Sequence, residues 1–134
     1  MRQIKGKRKG LDVFNYFKGD RMETAHRLYN TRIIECLESP EGYSILLNTG
    51  GFNTKHTKNC MNDFLAKWDL KVIQRNFKWY VVGGDKYSVF SKEHKGFEFT
   101  NNESIHLKLI YGEEFGKFKV MNMDGAFKFW SQVK

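Results

Sequence analysis

The chain is short of the residues that usually simplify a sequence. It has one proline, Pro40, and two cysteines, Cys36 and Cys60. Two thiols far apart in sequence do not make a disulfide framework, and they fit buried free cysteines in a reducing compartment. The four histidines, His26, His56, His94 and His106, are scattered and complete no zinc-type Cys/His set with the two cysteines, so neither a metal nor a cofactor is expected. No apolar run approaches membrane-spanning length, so no membrane association is expected. The basic N-terminus lacks a following apolar stretch and is not read as a secretory signal, which leaves the cytoplasm as the expected compartment. Acidic residues are absent from the first ten positions.

What is present is aromatic and basic. Twelve Phe, six Tyr and three Trp stand among 134 residues, enough for one domain with a true core. The net charge is +8, and it is unevenly spread. Residues 1–34 hold nine bases against three acids, while the other hundred are nearly balanced. Residues 1–10, MRQIKGKRKG, read as a basic flexible arm, with residues 11–134 as a single domain. Such an arm is either solvated or laid along a phosphate backbone, through Lys5, Lys7, Arg8 and Lys9.

The organising stretch runs from Tyr43 to Trp68. Tyr43, Ile45 and Leu47 alternate with less apolar neighbours, as a buried strand does. Asn48-Thr49-Gly50-Gly51 then stops the strand, and positive φ is expected at Gly50 or Gly51. Thr54 or Thr57 can cap a helix over about 54–68. Cys60, Met61, Phe64, Leu65 and Trp68 form its apolar stripe, and Asp63 stands four residues before Lys67, the order that favours a helix ion pair. Lys55, His56 and Lys58 crowd the helix entrance. Glycines before a helix can cradle an anion. The plainer reading, turn and caps only, is preferred, since no complete phosphate-loop or dinucleotide pattern is present.

Elsewhere, Leu11, Phe14 and Phe17 have near-helical spacing and predict a short N-terminal helix. Residues from Tyr29 onward, rich in β-branched Thr31, Ile33 and Ile34, predict a strand that a turn at Ser39–Gly42 joins to Tyr43–Asn48. Short strands at 70–75 and 78–82 flank Asn76-Phe77, and a further strand is expected at 87–91. Ile105, Leu107, Leu109 and Tyr111 alternate with His106 and Lys108, and strands around Phe118 and Phe127 are expected to meet at Asp124-Gly125. The expected class is α+β, an antiparallel sheet of hairpins and meanders with one main helix packed on it. Lys119, Lys128 and Trp130 fall on the outward face, either ordinary solvent-facing residues or a basic platform with an aromatic.

Asn48, Thr49, Gly50, Gly51 and Phe52, then Thr54, Thr57 and Lys58, Asn62 in the helix and Trp79 in the following hairpin, together resemble a small domain of unknown function found in tailed-bacteriophage proteins. Tyr29-Asn30-Thr31-Arg32 is similar to its entry strand, and the resemblance spans roughly 24–82. Phe52 stands where that pattern often has Trp. The resemblance implies a phage source, and the family carries no catalytic residues to transfer.

With no catalytic motif, a non-enzymatic protein is expected. Its partner is nucleic acid, DNA or RNA, or a nucleic-acid-bound host complex, contacted through the basic residues together with Phe52, Trp79 or Trp130. The alternatives are a protein-binding inhibitor of host defence or transcription, such as an anti-CRISPR protein, and a nuclease-type enzyme for which His56 is the best general-base candidate.

Overall fold

The computed structural model describes residues 2–5, 8–18, 21–83, 88–89, 96–111 and 118–123. Among the described residues it is an α+β fold with mostly antiparallel strands in two sheets and one α-helix. The strands are β1 (Arg2–Lys5), β2 (Leu11–Lys18), β3 (Arg21–Leu28), β4 (Thr31–Ser39), β5 (Gly42–Asn48), β6 (Leu70–Arg75), β7 (Lys78–Gly83), β8 (Ser88–Val89), β9 (Gly96–Glu98), β10 (Ser104–Tyr111) and β11 (Phe118–Asn122). Helix α1 spans Lys55–Leu65 and ends in a 3-10 turn, Ala66–Trp68. The large sheet runs β1-β2-β3-β4-β5-β10-β11-β8, with β8 parallel to β11, and the small sheet runs β6-β7-β9.

The helix expected over Leu11–Lys18 is strand β2, paired with β3 along its whole length from Leu11↔Leu28 to Lys18↔Arg21. Leu11 and Phe14 are both buried although they lie on opposite faces of the strand. Burial on both faces gives a spacing of three that imitates a helix, and strand pairing overrides the weak local preference. β1 pairs along β2 from Arg2↔Asn15 to Lys5↔Asp12, so this part of the basic segment lies on the sheet rather than free as an arm. The strand expected from Tyr29 onward begins at Thr31, after a Tyr29-Asn30 turn in which Tyr29 has φ 54°. Between β3 and β4 the register shifts by one, leaving Ile33 as an extra residue between Arg32 and Ile34. This bulge lets the consecutive residues Ile33 and Ile34 both be buried.

The core lies between the large sheet and α1. Ile34, Cys36, Ile45, Leu47, Ile105, Leu107 and Leu109 line up across β4, β5 and β10 and meet Cys60, Met61, Phe64 and Leu65 of the helix. Trp68 closes one end, edge-on to Tyr43 at 5.0 Å and to Phe64 at 5.2 Å. Both cysteines are buried free thiols, and burial pushes Cys36 up to about 11. The expected Asp63–Lys67 partnership is replaced by other contacts. Lys67 lies over the Phe64 and Trp68 rings at 4.3 and 4.9 Å, while Asp63 accepts two bonds from Arg8, at 2.5 and 3.1 Å.

Beyond the apolar core that the helix shares with Leu70, Val72, Trp79 and Val81, Asn62 ties it to the small sheet by hydrogen bonds. Asn62 Oδ1 accepts from Val72 N–H at 2.5 Å, and its Nδ2 donates to Val72 C=O at 3.2 Å. The amide thereby acts as a one-residue strand on the outer edge of β6. Asn62→Ala leaves both backbone groups of Val72 without these partners. It is expected to cost about 1–3 kcal/mol, read as a lower urea midpoint. An unchanged midpoint would remove Asn62 from this role.

His26, on β3, packs edge-on against Phe64 at 4.8 Å, and its Nδ1 is buried without a hydrogen bond. Burial, with Lys67 adding to it, holds its pKa down to about 4. The unfolded state therefore binds the proton more readily. This contribution to stability is complete above about pH 6.5 and is lost as pH falls toward 4, on the order of 2–3 kcal/mol. His26→Gln should flatten the melting temperature against pH across that window. Equal slopes for the two proteins would exclude His26 as the cause.

Candidate nucleic-acid interface at the helix entrance

Each residue of the Asn48–Thr57 connection has a local task. Asn48 Oδ1 accepts from Gly50 N–H at 2.9 Å, and Thr49 Oγ1 accepts from Gly51 N–H at 3.2 Å. Buried Thr49 is also tied to the 101–103 turn just before β10, its N–H donating to the Glu103 carbonyl at 2.8 Å. Gly50 and Gly51 both have positive φ, 63° and 86°, as the turn reading expects. Thr54 is the N-cap, its Oγ1 accepting from Thr57 N–H at 3.2 Å. The motif is thus a strand stop, a left-handed turn and a helix cap in succession.

This turn shapes a groove of about 320 Å³, lined by Leu28, Tyr29, Thr31, Phe52, Thr54 and His56 among others. Tyr29 is 57% exposed and Phe52 is 63% exposed. The β1–β2 turn closes on the same helix. His56 Nε2 donates to the Lys9 carbonyl at 2.8 Å, which assigns the ring proton to that nitrogen. The ion pair with Asp63 holds the Arg8 guanidinium above its ordinary pKa. Lys9, Phe52, Lys55, His56 and Lys58 are therefore gathered around one helix entrance, and no acidic residue occupies the first helical turn.

Other expected site residues fall elsewhere. Trp79 is 1% exposed, edge-on to Phe99 at 5.8 Å within the core, which removes it as a stacking surface. Arg8 is engaged by Asp63 and is not presented outward on its own. Lys5 lies on β1, opposite Asp12 in the strand register. Lys119 alternates with buried Val120 and so lies on the opposite face of β11 from the core. Lys7, Lys128, Trp130 and the Asp124-Gly125 turn lie outside the described residues.

A second cavity, of about 250 Å³, opens on the other face of the large sheet between Glu23, Glu35, Ser44 and His106. Ser44 Oγ and His106 Nε2 are 2.7 Å apart, and Glu35 pairs with Arg32 at 3.3 Å. Sequence reasoning missed this grouping because its members sit on different strands. Among the described residues no group of three or more His, Cys, Asp and Glu is placed to hold a metal ion. Among the described residues no helix is long and apolar enough to cross a membrane.

The two glycines should respond differently to substitution. A Cβ on Gly50 would meet the Thr31 methyl at 2.5 Å, whereas a Cβ on Gly51 would enter open space. Gly51→Ala should carry backbone strain alone, about 1 kcal/mol, and Gly50→Ala should destabilise further. Thermal unfolding checks the order, and equal melting temperatures for the two variants would contradict it.

No curated protein and no solved structure matches the chain. Residues 13–106 do match a family of phage proteins of unknown function, described as Kyanoviridae Gp96 protein. The matched span contains the strand stop, the threonine cap, Asn62 and both sides of the helix-entrance groove, and it covers well over half of the 134 residues. The chain belongs to the Kyanoviridae Gp96 protein family.

Proposed function

We propose that this phage protein is a non-catalytic, nucleic-acid-associated protein that holds single-stranded DNA or RNA at the entrance of α1. One observation carries the reading. Two exposed rings, Tyr29 and Phe52, line a groove together with His56, and three lysines stand near it, Lys9 through its carbonyl on His56 and Lys55 and Lys58 in the first turn of α1. Every base has a π-face, so exposed aromatics bind single strands with little sequence preference, while lysines track the phosphates. The backbone N–H groups at the start of α1 add a favourable pole for an anion.

A second reading is a protein partner within a host complex. Phe17 and Met22, cross-strand neighbours at the end of the β2–β3 hairpin, are both exposed, a pairing suited to a protein contact.

Fluorescence anisotropy with a labelled oligonucleotide of about 12 nucleotides tests the first reading. Phe52→Ala should weaken binding by about 1–3 kcal/mol. Lys55→Glu with Lys58→Glu should also reduce the slope of log K against log salt, by about 0.7 for each phosphate no longer neutralised. Affinity indifferent to all three substitutions would reject the groove. A stoichiometric protein recovered from expressing cells after nuclease treatment would favour the second reading.

A further inference from the structure

The hairpin β6–β7 closes through two residues, Asn76 and Phe77, with Arg75↔Lys78 the last pair. Both have positive φ, 52° and 64°. Two-residue hairpin loops of this hand favour Asn followed by Gly, because the second position also needs the left-handed region. Here that place holds phenylalanine, a bulky residue rarely seen there. Its side chain is 88% exposed, more than any other exposed large apolar residue among the described ones. Neither the turn nor the core gains from this choice.

The turn is nevertheless held in place. Asn102 Nδ2 donates to the Phe77 carbonyl at 3.0 Å, and Asn102 Oδ1 accepts from Trp79 N–H at 2.8 Å. The Asn102 carbonyl in turn accepts from Asn53 Nδ2 at 2.8 Å. Asn53 directly follows Phe52. Two hydrogen bonds thus join the loop bearing Phe52 to the turn bearing Phe77, so both exposed rings stand at one end of the molecule. The segments involved, 49–58 with the first turn of α1, 74–78 with the ends of β6 and β7, and 101–103, carry four bases, Lys55, Lys58, Arg75 and Lys78, against one acid, Glu103. Lys78 shares its charge with Glu98 at 3.4 Å. The end that presents the rings is therefore net positive, which suits a polyanion with stackable bases.

We infer that Phe77 is a second stacking platform for single-stranded nucleic acid, which runs from the Tyr29–Phe52 groove over the Asn53–Asn102 bridge to the β6–β7 turn. This rests on the single-strand reading proposed above and extends it, since it sets a minimum length for the ligand. A strand of about 4 nucleotides fills the groove alone, whereas one of about 12 reaches Phe77.

The test compares oligo-dT of these two lengths on the full chain, with Phe77→Gly, Phe77→Trp and Phe52→Ala. Phe77→Gly should lower affinity for the long oligonucleotide by about tenfold, the scale of one lost base stack, and leave the short one within about twofold. Its melting temperature should hold or rise, because glycine suits the left-handed position. Phe77→Trp keeps a stacking face and should retain long-strand affinity. Wild-type affinity of Phe77→Gly for the long strand, with Phe52→Ala weakened, would overturn this inference and leave the groove standing. That result would also follow if the ring were meant for a protein pocket. Equal weakness of Phe77→Gly and Phe77→Trp would overturn it as well. Absence of oligonucleotide binding by the wild-type protein would overturn the groove reading itself and this inference with it.

Discussion

The two hydrogen bonds between the Asn62 amide and the backbone of Val72 are the constraint on which the arrangement depends. The two sheets are separate hydrogen-bonded ladders. Leu70, Val72, Trp79, Val81 and Phe97 of the small sheet share one apolar core with the large sheet and the helix, and Asn62 adds hydrogen bonds from the helix to the outer edge of β6. Apolar packing is tolerant of sliding, since it depends on area more than direction. A paired donor and acceptor at one residue is directional and fixes how the helix lies along β6. Asn102 does the same at the other end of the small sheet, pairing with the N–H of Trp79 and the carbonyl of Phe77. In both places an asparagine amide stands in for a peptide group that no strand supplies.

These fastenings explain why a surface assembled from distant segments can be ordered. The β1–β2 turn is held to α1 by the Arg8–Asp63 pair and by His56 on the Lys9 carbonyl. The β5–α1 loop is held to the 101–103 loop twice, by Thr49 on the Glu103 carbonyl and by Asn53 on the Asn102 carbonyl. An exposed ion pair such as Arg8–Asp63 contributes little stability by itself. Its value here is geometric, since it keeps the basic turn beside the helix entrance. Pre-ordering of this kind lowers the entropy lost when a ligand binds.

The middle of the chain was legible because separate signals agreed there. Alternation ended at Asn48, glycines followed, and a threonine cap preceded an apolar stripe, and the structure has a strand, a left-handed turn and a helix at those places. The N-terminal segment was not legible. Leu11 and Phe14 are buried on opposite faces of a strand, and no local rule separates that pattern from a helical one. Trp79 shows the limit for sites. An aromatic between lysine and tyrosine in a short strand reads equally as a platform or as core, and only the packing of Phe99 and Val81 around β7 decides for core. Phe77 is the converse case. It read as part of a tight connection, and its exposure becomes visible only when the turn is seen to project from the fold.

Charge shows the same limit. The first quarter of the sequence holds most of the net positive charge, and taken alone that locates a polyanion site in the N-terminal segment. Folding redistributes that surplus. Arg8 is matched by Asp63, Arg27 by Asp12 and Arg32 by Glu35, so three of these bases are committed to partners within the molecule. The 49–58 segment, which runs into the first turn of α1, has only two lysines, but it has no acid of its own and it carries an exposed ring. A phosphate backbone responds to the local potential within about a Debye length, roughly 8–10 Å, and not to a segment's total. On the proposed single-strand reading, the helix entrance, with a modest charge and rings beside it, therefore matches the ligand better than the more basic segment that precedes it.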